Sequence, residues 1–211
     1  MSSTPPRVHP IELESYSIMA SRVDLSSWSE PARSVVARMV HATADESFAS
    51  SARVGSRAVE RVLEAFRASA TVVCDSRMVV AGMPALRAGA PVVCALDLIE
   101  GVTTTAAGVP PGSTRSAQAI RRAAHLYPQG ALWVIGNAPS ALAMLLDLAE
   151  SGLLEPAAVV GLPVGYVGAD HAKRRLWESS LSEFSITNTG ERGGSPVAAA
   201  AVNAIVRMAA S

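Results

Sequence analysis

The spacing of apolar residues along this chain changes twice. Val35, Val36, Met39 and Val40 recur at helical spacing and form one stripe at roughly 100° per residue. The stretch predicts a helix opening at Ser29 as N-cap, with Glu30 in its first turn and Pro31 close to the first helical position. Val59, Val62, Leu63 and Phe66 predict a second helix over Ser56–Ala70. Short continuous apolar runs then appear at Thr71–Cys74, Pro91–Leu96, Ala131–Ile135, Ala157–Leu162 and Phe184–Thr187. Helical runs lie between or after them, near Ser76–Ala81, Ser116–His125, Pro139–Ser151, Asp170–Leu181 and Pro196–Ala209. Continuous runs, rather than alternating ones, belong to strands covered on both faces. The reading is an α/β fold, Rossmann-like, with a mostly parallel sheet of about five strands between helix layers. Residues 1–10 read as a flexible tail and 11–211 as a single domain; Ile11–Ser21 has Ile11, Leu13, Ile18 and Met19 as apolar anchors and is helical around Ser15-Tyr16-Ser17.

The apolar stripe also isolates one histidine. His41 lies about 100° outside the stripe's edge, in the last turn, where the helix dipole favours an imidazolium. Thr43, Asp45 and Glu46 follow at once. The pattern describes an acid–base group, and it equally describes a partly exposed surface histidine near a helix end.

In a parallel sheet the loops after the strands share one edge, and ligands bind there. Gly136-Asn137-Ala138-Pro139, Leu162-Pro163-Val164-Gly165-Tyr166-Val167-Gly168 and Gly190-Glu191-Arg192-Gly193-Gly194-Ser195-Pro196 each put small residues and free backbone N–H groups at a helix start. Gly112-Ser113-Thr114-Arg115-Ser116 places a fixed positive charge at another. Helix starts receive anions. Any one of these loops is also an ordinary tight turn; together with Arg115 and Arg192 they describe a crevice for a small polyanion, since arginine forks bind carboxylates bidentately. The candidate contacts on this edge are Asn137, Arg192, Gly193, Gly194 and Ser195, with Thr43 beside the histidine.

Composition narrows the function classes. The chain has 211 residues, is 49% hydrophobic and 17% charged, and carries a formal net charge of zero. No basic excess exists to neutralise phosphates, and aromatics at 4% are too few for base stacking, so nucleic acid is not an expected partner. No apolar run reaches transmembrane length and the first ten residues lack a signal-peptide core, so no membrane partner is expected and the expected compartment is the cytoplasm. Cys74 and Cys94 end apolar runs and read as buried strand thiols. No metal constellation, nucleophile elbow, dinucleotide fingerprint or Walker loop is visible. His9 reads as solvated in the tail, His125 as a helix C-terminal residue, and His171 as part of a solvated charged face with Lys173, Arg174 and Arg175. Asp75 and Asp97 follow strands, where a carboxylate either caps or binds; both readings stay open.

Taken in order, several motifs resemble those of the precorrin-8X methylmutase (precorrin isomerase) family. They are Glu14-Ser15-Tyr16-Ser17-Ile18-Met19, Met39-Val40-His41-Ala42-Thr43-Ala44-Asp45, Cys74-Asp75-Ser76-Arg77-Met78-Val79, Ser113-Thr114-Arg115-Ser116-Ala117, Ile135-Gly136-Asn137-Ala138-Pro139-Ser140-Ala141-Leu142, Pro163-Val164-Gly165-Tyr166-Val167-Gly168-Ala169 and Gly193-Gly194-Ser195-Pro196-Val197-Ala198-Ala199-Ala200. Singly they are weak; as an ordered set they are highly specific. The resemblance implies a three-layer α/β/α homodimer with its site near the subunit interface. It implies a methyl shift from ring carbon 11 to ring carbon 12 of precorrin-8X, giving hydrogenobyrinic acid, or of cobalt-precorrin-8, with no cofactor and no protein-bound metal. It places the catalytic acid on His41 and substrate contacts on Ser15 and Arg115. Neighbouring pathway enzymes are further expected partners. Two departures stand out: Ala44 occupies a usual glycine position, and Ala95-Leu96-Asp97-Leu98-Ile99-Glu100 lacks the expected aspartate-proline pattern. A non-catalytic tetrapyrrole carrier and a nucleotide-binding α/β enzyme are the competing readings.

Overall fold

The computed structural model describes residues 9–84, 89–100 and 113–209. Gly112, which opens the fourth anion-receiving loop, and residues 1–8 of the expected tail lie outside them. The sheet is mostly parallel, but among the described residues it has six strands where the sequence predicts about five. They are β1 (Ala52–Val54), β2 (Val72–Cys74), β3 (Val92–Cys94), β4 (Leu132–Ile135), β5 (Ala158–Gly161) and β6 (Ser185–Asn188), in the order β1-β6-β5-β4-β2-β3. The strand missed from sequence is β1, which pairs antiparallel with β6. Three residues, Ala-Arg-Val, are too short to display a period, and only the neighbouring strand creates them. The expected strand at Pro91–Leu96 is shorter than predicted, because Ala95–Ile99 turns into a 3-10 helix.

The central strands bury both faces, as their continuous apolar runs require. Val72, Cys74, Leu132, Val134, Ala158, Val160 and Ile186 face one core cluster; Val73, Trp133, Ile135 and Val159 face the other. Both cysteines are buried and lie opposite each other on β2 and β3. The first face is covered by α2 (Ala32–Thr43), α4 (Ala58–Arg67), α5 (Arg77–Ala81) and α9 (Ser195–Ala209). The second is covered by α6 (Arg115–Leu126), α7 (Pro139–Glu150) and α8 (Ala169–Glu178). A single turn, α3 (Phe48–Ser51), joins α2 to β1. No helix among the described residues is long and apolar enough to cross a membrane.

Val35, Val36, Met39 and Val40 are all buried in the core, as the stripe predicts. Each such side chain contributes about 1.5–3 kcal/mol of transfer free energy. The helix starts later than expected: Pro31 occupies the cap position with no side-chain cap bond, and Glu30 instead accepts from the Ser34 hydroxyl at 2.7 Å and from the Ser34 amide at 3.4 Å.

α1 (Pro10–Arg22) behaves differently. It extends the predicted Ile11–Ser21 segment, and His9, expected to be a solvated tail residue, caps it by accepting from the Ile11 amide at 3.2 Å. Its apolar anchors do not enter the core. Ile11, Leu13 and Ile18 are 69%, 59% and 46% exposed, and only Met19 packs partly against the first cluster. The reason is position: α1 lies outside α2, one layer away from the sheet.

α2 stops at Ala44, whose φ of 49° and ψ of 30° put it in the left-handed region. That conformation is the reason a glycine suits this position, since a Cβ there costs about 1–2 kcal/mol. Glycine also adds unfolded-state freedom worth about 0.4–1 kcal/mol. Ala44→Gly is therefore expected to raise the unfolding free energy by about 0.5 kcal/mol, read as a higher midpoint in chemical denaturation. A lower midpoint would contradict the strain at Ala44.

Candidate active site

The last turn of α2 projects His41 away from the core, half-buried, toward α1. Two consecutive α1 residues meet it. The Ser15 hydroxyl lies 3.1 Å from Nδ1, and the Tyr16 ring stacks on the imidazole with centroids 4.5 Å apart and planes 6° from parallel. With Nδ1 engaged, Nε2 is the nitrogen left for a ligand. The ring borders a hollow of about 130 Å3, lined by Ser15, Ile18, Met19, Arg22, Ala44 and Glu46 among others. The helix dipole alone would raise the imidazole's proton affinity. The structure reverses this expectation: partial burial, and then the positive charge of Arg38, hold its pKa below the ordinary 6.5.

The turn after α2 leans over the carboxyl edge of the sheet. Arg192, in the loop after β6, pairs with Asp45. That loop is fastened from beneath. Gly190 N–H donates to Asp170 at 2.8 Å, Gly194 N–H to the Leu162 carbonyl at 2.8 Å, and Gly165 N–H to the Glu191 carbonyl at 3.1 Å. Gly193 sits so close to the preceding loop that a Cβ would fall 2.3 Å from the Pro163 carbonyl oxygen. Lys173 does not share the solvated face predicted for His171, Arg174 and Arg175. It is fully buried, and its ammonium donates to Asn188 Oδ1 at 3.0 Å and to the Arg192 carbonyl at 2.5 Å. Burial pushes its pKa down to about 8. His171 and His125 are exposed, and His125 lies in the last turn of α6 as expected.

The strand order switches direction between β2 and β4, the position where open α/β sheets bind ligands. Here the anion site at the start of α7 is already filled by the protein itself. The amides of Gly136, Asn137 and Ala138 donate to the Asp75 carboxylate at 3.0, 2.8 and 2.8 Å. Burial pushes Asp75 up in pKa, against the pull of those three donors. The loop's amides, expected to be free for a ligand, are thus occupied, and Asp75 is a cap. Asp97 instead pairs with Arg77 at 2.7 Å on the surface.

The candidate residues sort accordingly. Ser15 and His41 are in contact. The Arg192 side chain and the side chain of Asn137 are exposed on the shared edge. Arg115 opens α6 and is exposed, and the Thr114 hydroxyl beside it meets Ser140 at 2.6 Å, which joins the starts of α6 and α7. Three candidates are committed internally. The Thr43 hydroxyl donates to the Met39 carbonyl at 2.8 Å, the Gly194 amide is bonded to Leu162, and the buried Ser195 hydroxyl lies 3.2 Å from Ser76. Sequence reasoning missed Tyr16, Arg38 and Glu12. Arg38 lies three residues before His41 on the same helical face, a spacing that marks neighbours. Among the described residues, no group of three or more His, Cys, Asp or Glu side chains is arranged to hold a metal ion.

A mostly parallel sheet between two helix layers, with its strand order switching between β2 and β4, defines an α/β/α domain of the doubly wound class. Residues 10–208 match the family model described as precorrin-8X methylmutase, and the chain belongs to that family. It is 34% identical to the cobalt-precorrin-8 methylmutase of Synechocystis over 97% of both chains. It is 36% identical to the precorrin-8X methylmutase of Sinorhizobium, over 92% of this chain and 91% of that one. The crystal structure of precorrin-8X methylmutase from Thermus thermophilus superposes with a TM-score of 0.80 at 33% identity, covering 96% and 98% of the two chains.

The capping role of Asp75 has a measurable consequence. Asp75→Asn turns one acceptor into a donor facing backbone N–H groups, and is expected to lower the unfolding free energy by about 2 kcal/mol, measured by chemical denaturation. An unchanged stability would show that the carboxylate does not hold the loop.

Proposed function

We propose that the chain moves a methyl group within a corrin-type macrocycle, from ring carbon 11 to ring carbon 12 of precorrin-8X or cobalt-precorrin-8, with His41 as general acid. The observation that carries the reading is the His41 ring: anchored at Nδ1 by Ser15, backed by Tyr16, and bordering an open hollow. Membership of the methylmutase family supports the substrate class. An isomerisation within one molecule consumes no net electrons or protons. A proton lent by Nε2 to the macrocycle changes the ring's electron demand while the methyl leaves one carbon and joins the next; the proton then returns to Nε2. A histidine whose proton affinity is lowered is a stronger donor for that step. The remaining requirement is to hold the ring still.

The substrate's acidic arms suit Arg115, at the start of α6, and Arg192 on the neighbouring edge, with the Asn137 side chain and the Gly193 backbone as further contacts. Val164, Tyr166 and Val167 are exposed on the same edge, at 43%, 97% and 88%, and offer apolar surface to a ring face. A hollow of about 130 Å3 is well below the roughly 300–1,000 Å3 of ordinary ligand sites, so it admits an edge of the macrocycle and not the whole. Together with the exposed apolar residues of α1, this supports a homodimer in which a second copy completes the site. The metal, where present, belongs to the substrate. The proposed protein is a single-domain cytoplasmic enzyme.

His41→Ala is expected to lower kcat about 10²–10⁴-fold, followed by the absorption change from substrate to product. Retained turnover would remove His41 from the chemistry, and pigment binding without conversion in the unaltered protein would select a carrier instead. The active form of the acid is protonated, so kcat/KM is expected to fall as pH rises through a midpoint below 6.5. A flat profile through that range would exclude a titrating histidine.

A further inference from the structure

His41 does not stand alone on α2. The Tyr16 ring lies on it in a parallel stack at 4.5 Å. Arg38 reaches across from the preceding turn, and its NH1 donates to the Tyr16 hydroxyl at 3.3 Å and to the Glu12 carboxylate at 2.8 Å. Arg207 of α9 grips the same carboxylate at 3.2 Å. Glu12, Ser15 and Tyr16 all lie on α1, the helix with no buried residue of its own. The contacts therefore run in a closed circuit: α1 to His41 through Ser15 and Tyr16, His41 along α2 to Arg38, and Arg38 back to α1 through Tyr16 and Glu12.

We infer that Tyr16 and Arg38 are positioning residues for the methyl shift. Tyr16 fixes the plane of the His41 ring by stacking, and Arg38 fixes Tyr16 through its hydroxyl while ion-pairing α1 into place. The inference rests on the reading of His41 as the general acid. Ser15 alone leaves the imidazole free to swing about its Cα–Cβ and Cβ–Cγ bonds with Nδ1 as pivot; a parallel plate on one face removes that freedom and sets where Nε2 can deliver a proton. The circuit is kept at a local cost, because Arg38 Nε is buried with no hydrogen-bond partner.

The charges around the ring agree with this geometry. Arg38 and Arg207 oppose a proton on His41 and Glu12 favours one, while burial under Tyr16 and the neighbouring helix opposes it most. Arg22 and Glu46 are the other charged residues bordering the hollow. Removing the Arg38 charge leaves Glu12 nearer to dominance, so the imidazole's midpoint moves upward; a lysine at the same place keeps the charge.

The test combines turnover with a direct titration of His41 by NMR. Tyr16→Leu is expected to lower kcat about tenfold with KM changed less than about twofold, and Tyr16→Phe, which keeps the plate but loses the hydroxyl, to lower it about threefold. Arg38→Met is expected to raise the His41 midpoint and Arg38→Lys to restore it toward that of the unaltered protein. Unchanged kcat in Tyr16→Leu, or a His41 midpoint that ignores Arg38→Met, overturns the inference. Should His41→Ala itself stay active, the general-acid reading falls and the positioning role falls with it. An inactive His41→Ala beside a fully active Tyr16→Leu removes the positioning role alone.

Discussion

The structure hangs on one buried carboxylate. Asp75 directly follows β2, and its two oxygens collect the amides of Gly136, Asn137 and Ala138 beyond β4. An uncompensated charge in that place would be prohibitively costly; three charge-assisted bonds make it tolerable and stiff. The switch point of the sheet is thereby closed as an anion pocket and turned into a strut. Both the start of α7 and, through Thr114 and Ser140, the start of α6 with Arg115 take their places from it. Across the edge, Lys173 does the reverse job with the opposite charge, holding the Arg192 carbonyl from below. The rim on which substrate arms would rest is thus fixed by two buried ions of opposite sign.

What the sequence made legible follows from where each residue's environment is encoded. The stripe Val35, Val36, Met39, Val40 and the continuous runs of β2, β4 and β5 reach the core through their own periodicity, so their burial needed no tertiary knowledge. β1 and the true depth of Lys173 depend on partners far along the chain. Charged neighbours at 174 and 175 made Lys173 look like surface, and only Asn188 and the Arg192 carbonyl explain an ammonium with no exposure. Asp75 was visible as a carboxylate after a strand, but its choice between cap and ligand is made by a loop 61 to 63 residues away. The ordered motifs carried the family, and the match over residues 10–208 bears that reading out.

The buried ties of the rim contrast with the helix that packs on His41. α1 has 13 residues and none of them buried, and helices of about that length are marginal in water on their own. It stays on α2 through polar and aromatic links instead: Glu12 to Arg38 and Arg207, Ser15 to His41, Tyr16 to both His41 and Arg38. Partly exposed ion pairs of this kind are individually worth only about 0–1 kcal/mol. They hold because they share partners, so that ordering Arg38 once serves several contacts. The same contacts that dock the helix also partly bury the imidazole, and that burial lowers its proton affinity. Removing α1 would leave His41 an exposed histidine at a helix end, with its affinity set by the dipole and the Arg38 charge of its own helix. The proposed acid is therefore a property of the pair of helices, and neither helix has it alone.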